Sequence, residues 1–184
     1  MPLREDRKEL RIVIDHISDG VLFIDDTGVI KFCNRALADM FSILKDITGT
    51  EIISLPEEDA LKEGIFRVDK DFQGPFCWER NKCPEDTKCP GRTSQFCRCW
   101  LFSTCGLSGN GKRSCRECPQ YKSVRTFLER PKELEIGGRM VSVLSTFIEY
   151  NGSGGIWEVI VFKDVTHEKL DAAVKIAGAA AHEL

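Results

Sequence analysis

Eight of the nine cysteines in this 184-residue chain lie close together: Cys77, Cys83, Cys89, Cys97, Cys99, Cys105, Cys115 and Cys118. Thiolates ligate soft metals and act as nucleophiles in redox exchange, so this cluster is the first place to look for chemistry. Cys115 and Cys118 form a C-x2-C pair, whose two thiolates can reach one metal from a single turn. Pro119 follows Cys118 where c-type haem attachment would need histidine. Zinc ribbons usually carry two C-x2-C pairs, and only this one is present. The remaining gaps are irregular and suit an iron–sulfur cluster, which accepts varied loop geometry; eight cysteines could also serve two tetrahedral sites.

The 42 residues from Cys77 to Cys118 hold no Ile, Val, Met or Ala, and only Leu101 and Leu107 as aliphatics. Such a segment does not bury enough apolar surface by itself to offset its conformational entropy, so it is either disordered or stapled by disulfides or metal. It contains eight Lys/Arg against four Asp/Glu in a chain whose net charge is −3. That is either a solvated basic loop or positive charge offsetting thiolates. The overall charge suggests neither nucleic acid nor an anionic membrane as partner. The N-terminus, MPLREDRKELR, lacks the apolar core of a secretory signal, and no apolar run approaches the roughly 20 residues of a membrane span. The expected location is the cytoplasm, where thiols stay reduced and clustered cysteines are metal-binding or catalytic.

These residues must be positioned by the rest of the chain. Leu10, Val13, Ile14 and Ile17 recur at helical spacing over residues 4–17, and Asp19-Gly20 breaks the pattern. Val21 to Ile24 and Val29 to Cys33 read as strands joined by the Asp25-Asp-Thr-Gly28 turn. Asn34 is an N-cap for a helix from Arg35 to Phe41, and Ser42 to Leu55 reads as short helical pieces. After the cysteines come strands at Lys132 to Ile136, Arg139 to Tyr150 and Ile156 to Lys163, separated by Gly137-Gly138 and by a glycine-rich turn at residues 151–155. A final helix follows.

The strings Ile17-Ser-Asp-Gly-Val-Leu-Phe-Ile24, Asp26-Thr-Gly28 and Ile30-Lys-Phe-Cys-Asn-Arg-Ala36, with Phe162-Lys-Asp-Val-Thr-His-Glu-Lys169 at the far end, resemble a PAS sensory domain. The resemblance runs from about Leu10 to Lys169. It implies an α+β fold, a five-stranded antiparallel sheet with short helices. The expected organisation is an N-terminal helix at 1–16, a PAS domain at 17–169 interrupted by a cysteine-rich module at 77–118, and a helix at 170–184. The module falls where relatives keep a ligand-facing helix. Between Ile65 and Phe127 there is no histidine to bind haem and no Asn-Cys-Arg flavin motif.

In the last helix Leu170, Ala177 and Leu184 fall at heptad a positions, with Ala173 and Ala180 at d, which gives a short coiled-coil seam and an expected homodimer. Ala181-His182-Glu183-Leu184 resembles the start of a histidine-kinase phosphoacceptor box. By that resemblance His182, at solvent-facing position f, accepts phosphate, Glu183 takes the imidazole proton, and a response regulator is the partner through a kinase region outside these residues. No Gly-rich phosphate loop occurs in the 184 residues. His16 and His167 read as surface or structural. Cys33 reads as a small hydrophobe in its strand.

The string Cys77-Trp…Cys83…Cys89-Pro…Cys99-Trp…Cys105…Cys115-x2-Cys118 resembles the two-CW cysteine-rich family of bacteria and archaea, which implies a metal module. Cys99, Cys105, Cys115 and Cys118 are the expected core ligands, with Cys77, Cys83 and Cys89 as further candidates. Trp78 and Trp100 would shield the cluster or simply pack. Cys97 lies outside that motif. The expected function is the sensory input of a cytoplasmic two-component histidine kinase, reading redox state or oxygen through an iron–sulfur cluster of the 4Fe–4S type. Two alternatives stand beside it. One is a structural zinc knot on a metabolite-sensing PAS domain. The other is a thiol redox protein using Cys115 and Cys118, although these lack the βαβ surroundings of such motifs.

Overall fold

A computed structural model describes residues 11–56, 58–80, 82, 92, 96–101, 118–149 and 156–182, with side chains omitted for 149 and 176–182. Within these residues lie five strands: β1 Gly20–Ile24, β2 Ile30–Cys33, β3 Lys132–Ile136, β4 Arg139–Glu149 and β5 Ile156–Asp164. They form one antiparallel sheet in the order β2-β1-β5-β4-β3, the five-stranded sheet expected from the PAS resemblance. β5, the last strand made, is the centre of the sheet: Gly20 pairs with Phe162 on one side and Val143 pairs with the same residue on the other. Gly137 and Gly138 both have positive φ (58° and 76°), as a two-residue hairpin turn between β3 and β4 requires.

Alternation decides which face of the sheet is covered. Val141, Val143, Ser145 and Phe147 of β4 are buried, as are Glu158, Ile160 and Phe162 of β5. Among the described residues six α-helical segments accompany the sheet. In chain order they are a helical run at 11–15 (α1), Arg35–Met40 (α2), Ala60–Lys70 (α3), Cys77–Arg80 (α4), Pro119–Leu128 (α5) and Thr166–His182 (α6). α3 and α5 bury several side chains each. Asn34 caps α2 as expected: its Oδ1 accepts from Leu37 N–H at 3.0 Å. The same oxygen accepts from Val21 N–H at 2.8 Å, and Nδ2 donates to the carbonyls of Ile14 and Asp19 at 3.1 and 2.9 Å. One fully buried amide thus ties the end of α1 to β1 and α2.

One expectation needs correction. Residues 42–51 are not helical; only Ile52–Ser54 forms a 3-10 turn. Gly49 to Ile52 instead runs beside β2, where Gly49 N–H donates to Ile30 and Ile52 N–H donates to Gly28. The real helix of this region is α3, further on. Asp59 caps it through Leu61 and Lys62 N–H, and Leu61, Ile65, Val68 and Asp69 lie on its buried face. A helix also follows the cysteine segment, before β3. α5 is present and begins immediately after Cys118, with Pro119 in its first turn, where a missing N–H costs nothing.

α6 starts at Thr166. Asp164 Oδ1 accepts from Thr166 N–H at 2.9 Å, and Thr166 Oγ1 accepts from Met140 N–H at 2.9 Å. Lys169 pairs with Glu133 of β3 at 2.8 Å. The first turn is therefore fastened to β3 and β4, while Leu170 and Val174 are exposed beyond it. Among the described residues no helix is long and apolar enough to cross a membrane.

Candidate functional site

The middle of the cysteine segment lies inside the core. Cys97, Arg98, Trp100 and Leu101 are all buried, and Cys99–Leu101 forms a 3-10 turn. Leu101 lies against the β1–β2 turn, where a Cβ on Gly28 would come within 3.3 Å of its carbonyl oxygen. Phe96 stacks on Phe66 of α3 with ring centroids 3.9 Å apart. Trp100 meets Tyr121 of α5 and Phe147 of β4 edge-on at 5.1 and 5.8 Å, and those two rings meet each other at 5.8 Å. Such pairs add to the area that each ring buries. The segment is not expected to build a core alone, and its Phe96, Trp100 and Leu101 pack into the core of the sheet and helices.

Arg98 is the residue that sequence reasoning missed. Its guanidinium has no exposed surface. Nε donates to Glu158 Oε1 and Oε2 at 3.0 and 3.2 Å, and Nη2 to Ser145 Oγ at 3.3 Å. Nη1 donates to the Ile65 carbonyl at 3.2 Å and pairs with Asp69 Oδ1. Asp69 and Glu158 are buried too. Arginine and carboxylates are almost never fully buried unless paired, and here one cation faces two anions. Asp69 Oδ2 is buried without a hydrogen-bond partner. The legible signal was Glu158: alternation along the apolar run Ile156-Trp-Glu-Val-Ile-Val-Phe162 turns it inward, and a buried carboxylate needs a cation.

The two ends of the cysteine segment are clipped together. Arg80 of α4 donates through Nε to Gln120 Oε1 and through Nη2 to Ser123 Oγ of α5, both at 3.0 Å. Cys77 opens α4 and is buried; Cys118 is the N-cap of α5 and half-buried; Cys99 is half-buried at the core's edge. Cys97 is different. Burial, and then the charge of Glu158, push its thiol well above the ordinary range. Trp78 stacks on Phe76 at 4.5 Å. The two tryptophans, expected beside a cluster, thus have aromatic partners of their own.

Cys83, Cys89, Cys105, Cys115 and Glu183 lie outside the described residues, and His182 is described only as the last residue of α6. Among the described residues no three His, Cys, Asp or Glu side chains group closely enough to hold a metal ion. Cys33 ends β2, as expected. Burial, then the charges of Asp46 and Asp15, push its thiol up to about 11. His16 and His167 are exposed; His16 Nδ1 lies 2.7 Å from the Ile12 carbonyl oxygen.

The PAS domain family model matches residues 8–72, which hold α1 to α3 and the first hairpin. Those residues are about a third of the chain, and the five-stranded antiparallel sheet with flanking helices agrees with the fold expected of that family. The solved structures similar to this chain include two PAS domains. The PAS domain of BvgS from Bordetella pertussis is 14% identical, with 95% of this chain and 98% of that one covered and a TM-score of 0.45. The PAS domain of an HTR-like protein from Haloarcula marismortui is 13% identical, with 88% and 98% covered and a TM-score of 0.36. No curated protein matches the chain.

Proposed function

We infer that this PAS domain is the sensory input of a two-component histidine kinase, and that its signal is the state of the cysteine segment. One observation carries the reading: Cys97 to Leu101 is built into the core against β4 and β5, and β5 runs directly into α6, which reaches His182. A change at the cysteines therefore has a packed route to the helix that would carry the phosphoacceptor. Signalling of this kind needs an element with two arrangements whose balance the input biases.

Cys99 and Cys118, half-buried at the edge of the core, fit a metal-ligand role, and Cys105 and Cys115 complete the proposed set. Cys77, Cys83 and Cys89 remain for exchange or a second site. An iron–sulfur cluster supplies one-electron redox chemistry when bound. The protein's own part is to hold the thiolates, to balance their charge with the segment's lysines and arginines, and to keep the surrounding turns packed. His182 would be the phosphoacceptor and Glu183 its proton acceptor, in a homodimer joined along α6 and read by a response regulator.

The test is anaerobic purification with iron, zinc and acid-labile sulfide analysis, together with a visible absorption spectrum. Equal iron and sulfide with broad visible absorption supports the reading. Colourless protein with stoichiometric zinc supports a structural knot instead, a second reading favoured by the core position of Trp100 and Leu101. Metal-free protein with rapidly exchanging thiols leaves the thiol redox alternative. For the output end, the domain joined to a complete kinase should label with radioactive ATP, and His182→Gln should abolish the acid-labile label.

A further inference from the structure

Among the described residues the cysteine segment reaches β5 through the charged side chain of Arg98, which lies between two cysteines. Arg98 has Cys97 before it and Cys99 after it, and neighbouring Cα atoms are only about 3.8 Å apart. Neither cysteine can be displaced far without moving Arg98. The guanidinium spans three elements at once: α3 through Asp69 and the Ile65 carbonyl, β4 through Ser145, and β5 through Glu158.

We propose that Arg98 is a latch: seated, it holds α3 against β4 and β5, and a change at the flanking cysteines unseats it and loosens β5 and the start of α6. The proposal rests on reading the cysteine segment as the sensing element. The charge count gives the latch its sharpness. One guanidinium balances two buried carboxylates, so withdrawing it leaves Asp69 and Glu158 both unpaired and repelling each other across the α3–β5 gap. Partial withdrawal is no refuge, since buried ion pairs lose most when one partner departs. Such a site has two arrangements rather than a continuum. In the unseated state α3 parts from the sheet and water reaches the carboxylates. A planar fork with five donors suits this set of acceptors, and a lysine ammonium does not match it.

The experiment uses the full chain in five forms: wild type, Arg98→Met, Arg98→Lys, Arg98→Ala, and the triple variant Arg98→Met, Asp69→Leu, Glu158→Met. The triple variant removes all three charges, so it can fold where Arg98→Met alone fails. Each folded protein is treated with p-hydroxymercuribenzoate, which caps thiols and strips thiolate-bound metal, and amide hydrogen exchange is followed across 156–169. The expected result is a rise of several-fold or more in wild-type exchange and no rise in the triple variant. Arg98→Lys should show high exchange before treatment, and methylguanidinium at millimolar concentration should lower exchange in Arg98→Ala. Equal responses in wild type and triple variant overturn the latch, as does a wild type that does not respond. Metal and sulfide analysis of the same samples judges the cluster separately. A metal-free wild type that responds through Arg98 keeps the latch and loses the cluster. A cluster-bearing triple variant that still responds does the reverse.

Discussion

Nε of Arg98 lies 3.0 Å from Oε1 of Glu158, sixty residues later in the chain, and both side chains are withdrawn from solvent. With Asp69 as a second carboxylate, the three positions are not equivalent. Glu158→Met leaves Arg98 and Asp69 as a balanced pair. Arg98→Met leaves two anions with no cation, and should cost about 3–5 kcal/mol, the usual loss when a buried charge is stranded. Urea denaturation should rank Arg98→Met well below Glu158→Met, with Ser145→Ala closest to wild type. The reverse order would mean that Asp69 and Arg98 do not pair.

Asn34→Ala strands two N–H groups and two carbonyls, those of Val21, Leu37, Ile14 and Asp19. Buried groups left without partners cost about 1–3 kcal/mol each, partly recovered by relaxation, so the expected loss is about 3 kcal/mol. Asn34→Asp keeps the acceptor but loses both donors, and its urea midpoint should fall between those of wild type and Asn34→Ala.

Cys33 gives an alkaline dependence. Its folded thiol titrates near 11, raised first by burial and then by Asp46 and Asp15, against an ordinary value of 9.0. A raised pKa favours the protonated form in the folded state. Its contribution is therefore complete below pH 9 and lost as the pH rises through 11. Cys33→Ala should flatten the fall in stability over that window, measured by thermal unfolding at several pH values. Iodoacetamide labelling of Cys33 in the folded protein should stay slow at pH 9.

Asp25 acts at the opposite end of the scale. Burial raises its carboxyl, but Lys31, the Thr27 hydroxyl and the N–H groups of Val29 and Thr27 outweigh this, leaving it below the ordinary 3.8. The charged form is favoured in the folded state, so its contribution is present above about pH 4 and lost as the pH falls below that. Asp25→Asn should be destabilised at pH 7, where the Lys31 pair at 2.8 Å is lost, and should converge with wild type in acid.

The strands were legible because each carries its own local signal. Gly137-Gly138 marks a hairpin, and Asp25 to Gly28 marks another. α3 was not legible, because Lys62, Gly64, Arg67 and Asp69 interrupt its apolar pattern. Three of those interruptions, Lys62, Gly64 and Asp69, are in fact buried; Lys62 Nζ donates to the Ile53 and Leu55 carbonyls at 3.0 and 2.8 Å. The Arg98 cluster was hidden for a related reason. Its partners are 29, 47 and 60 residues away, and no local window contains a charge and its counter-charge. The cysteine segment read as an appendage because its composition is polar, although Trp100 and Leu101 find their apolar partners in other elements.

The central place of β5 sets the order in which the molecule can be assembled. The β1–β2 hairpin and the β3–β4 hairpin are each local, but β1 and β4 meet only through β5. During synthesis both hairpins therefore wait with an open edge, and open edges are where chains pair wrongly with one another. Gly20 must be brought to Phe162 across the whole cysteine segment, a contact of long sequence separation that slows folding. Loop closure grows only logarithmically with length, and each doubling adds about 0.6 kcal/mol. The 42 residues from Cys77 to Cys118 thus add little to that step. The greater exposure is in time, since the cysteines are translated before the strand that completes the sheet.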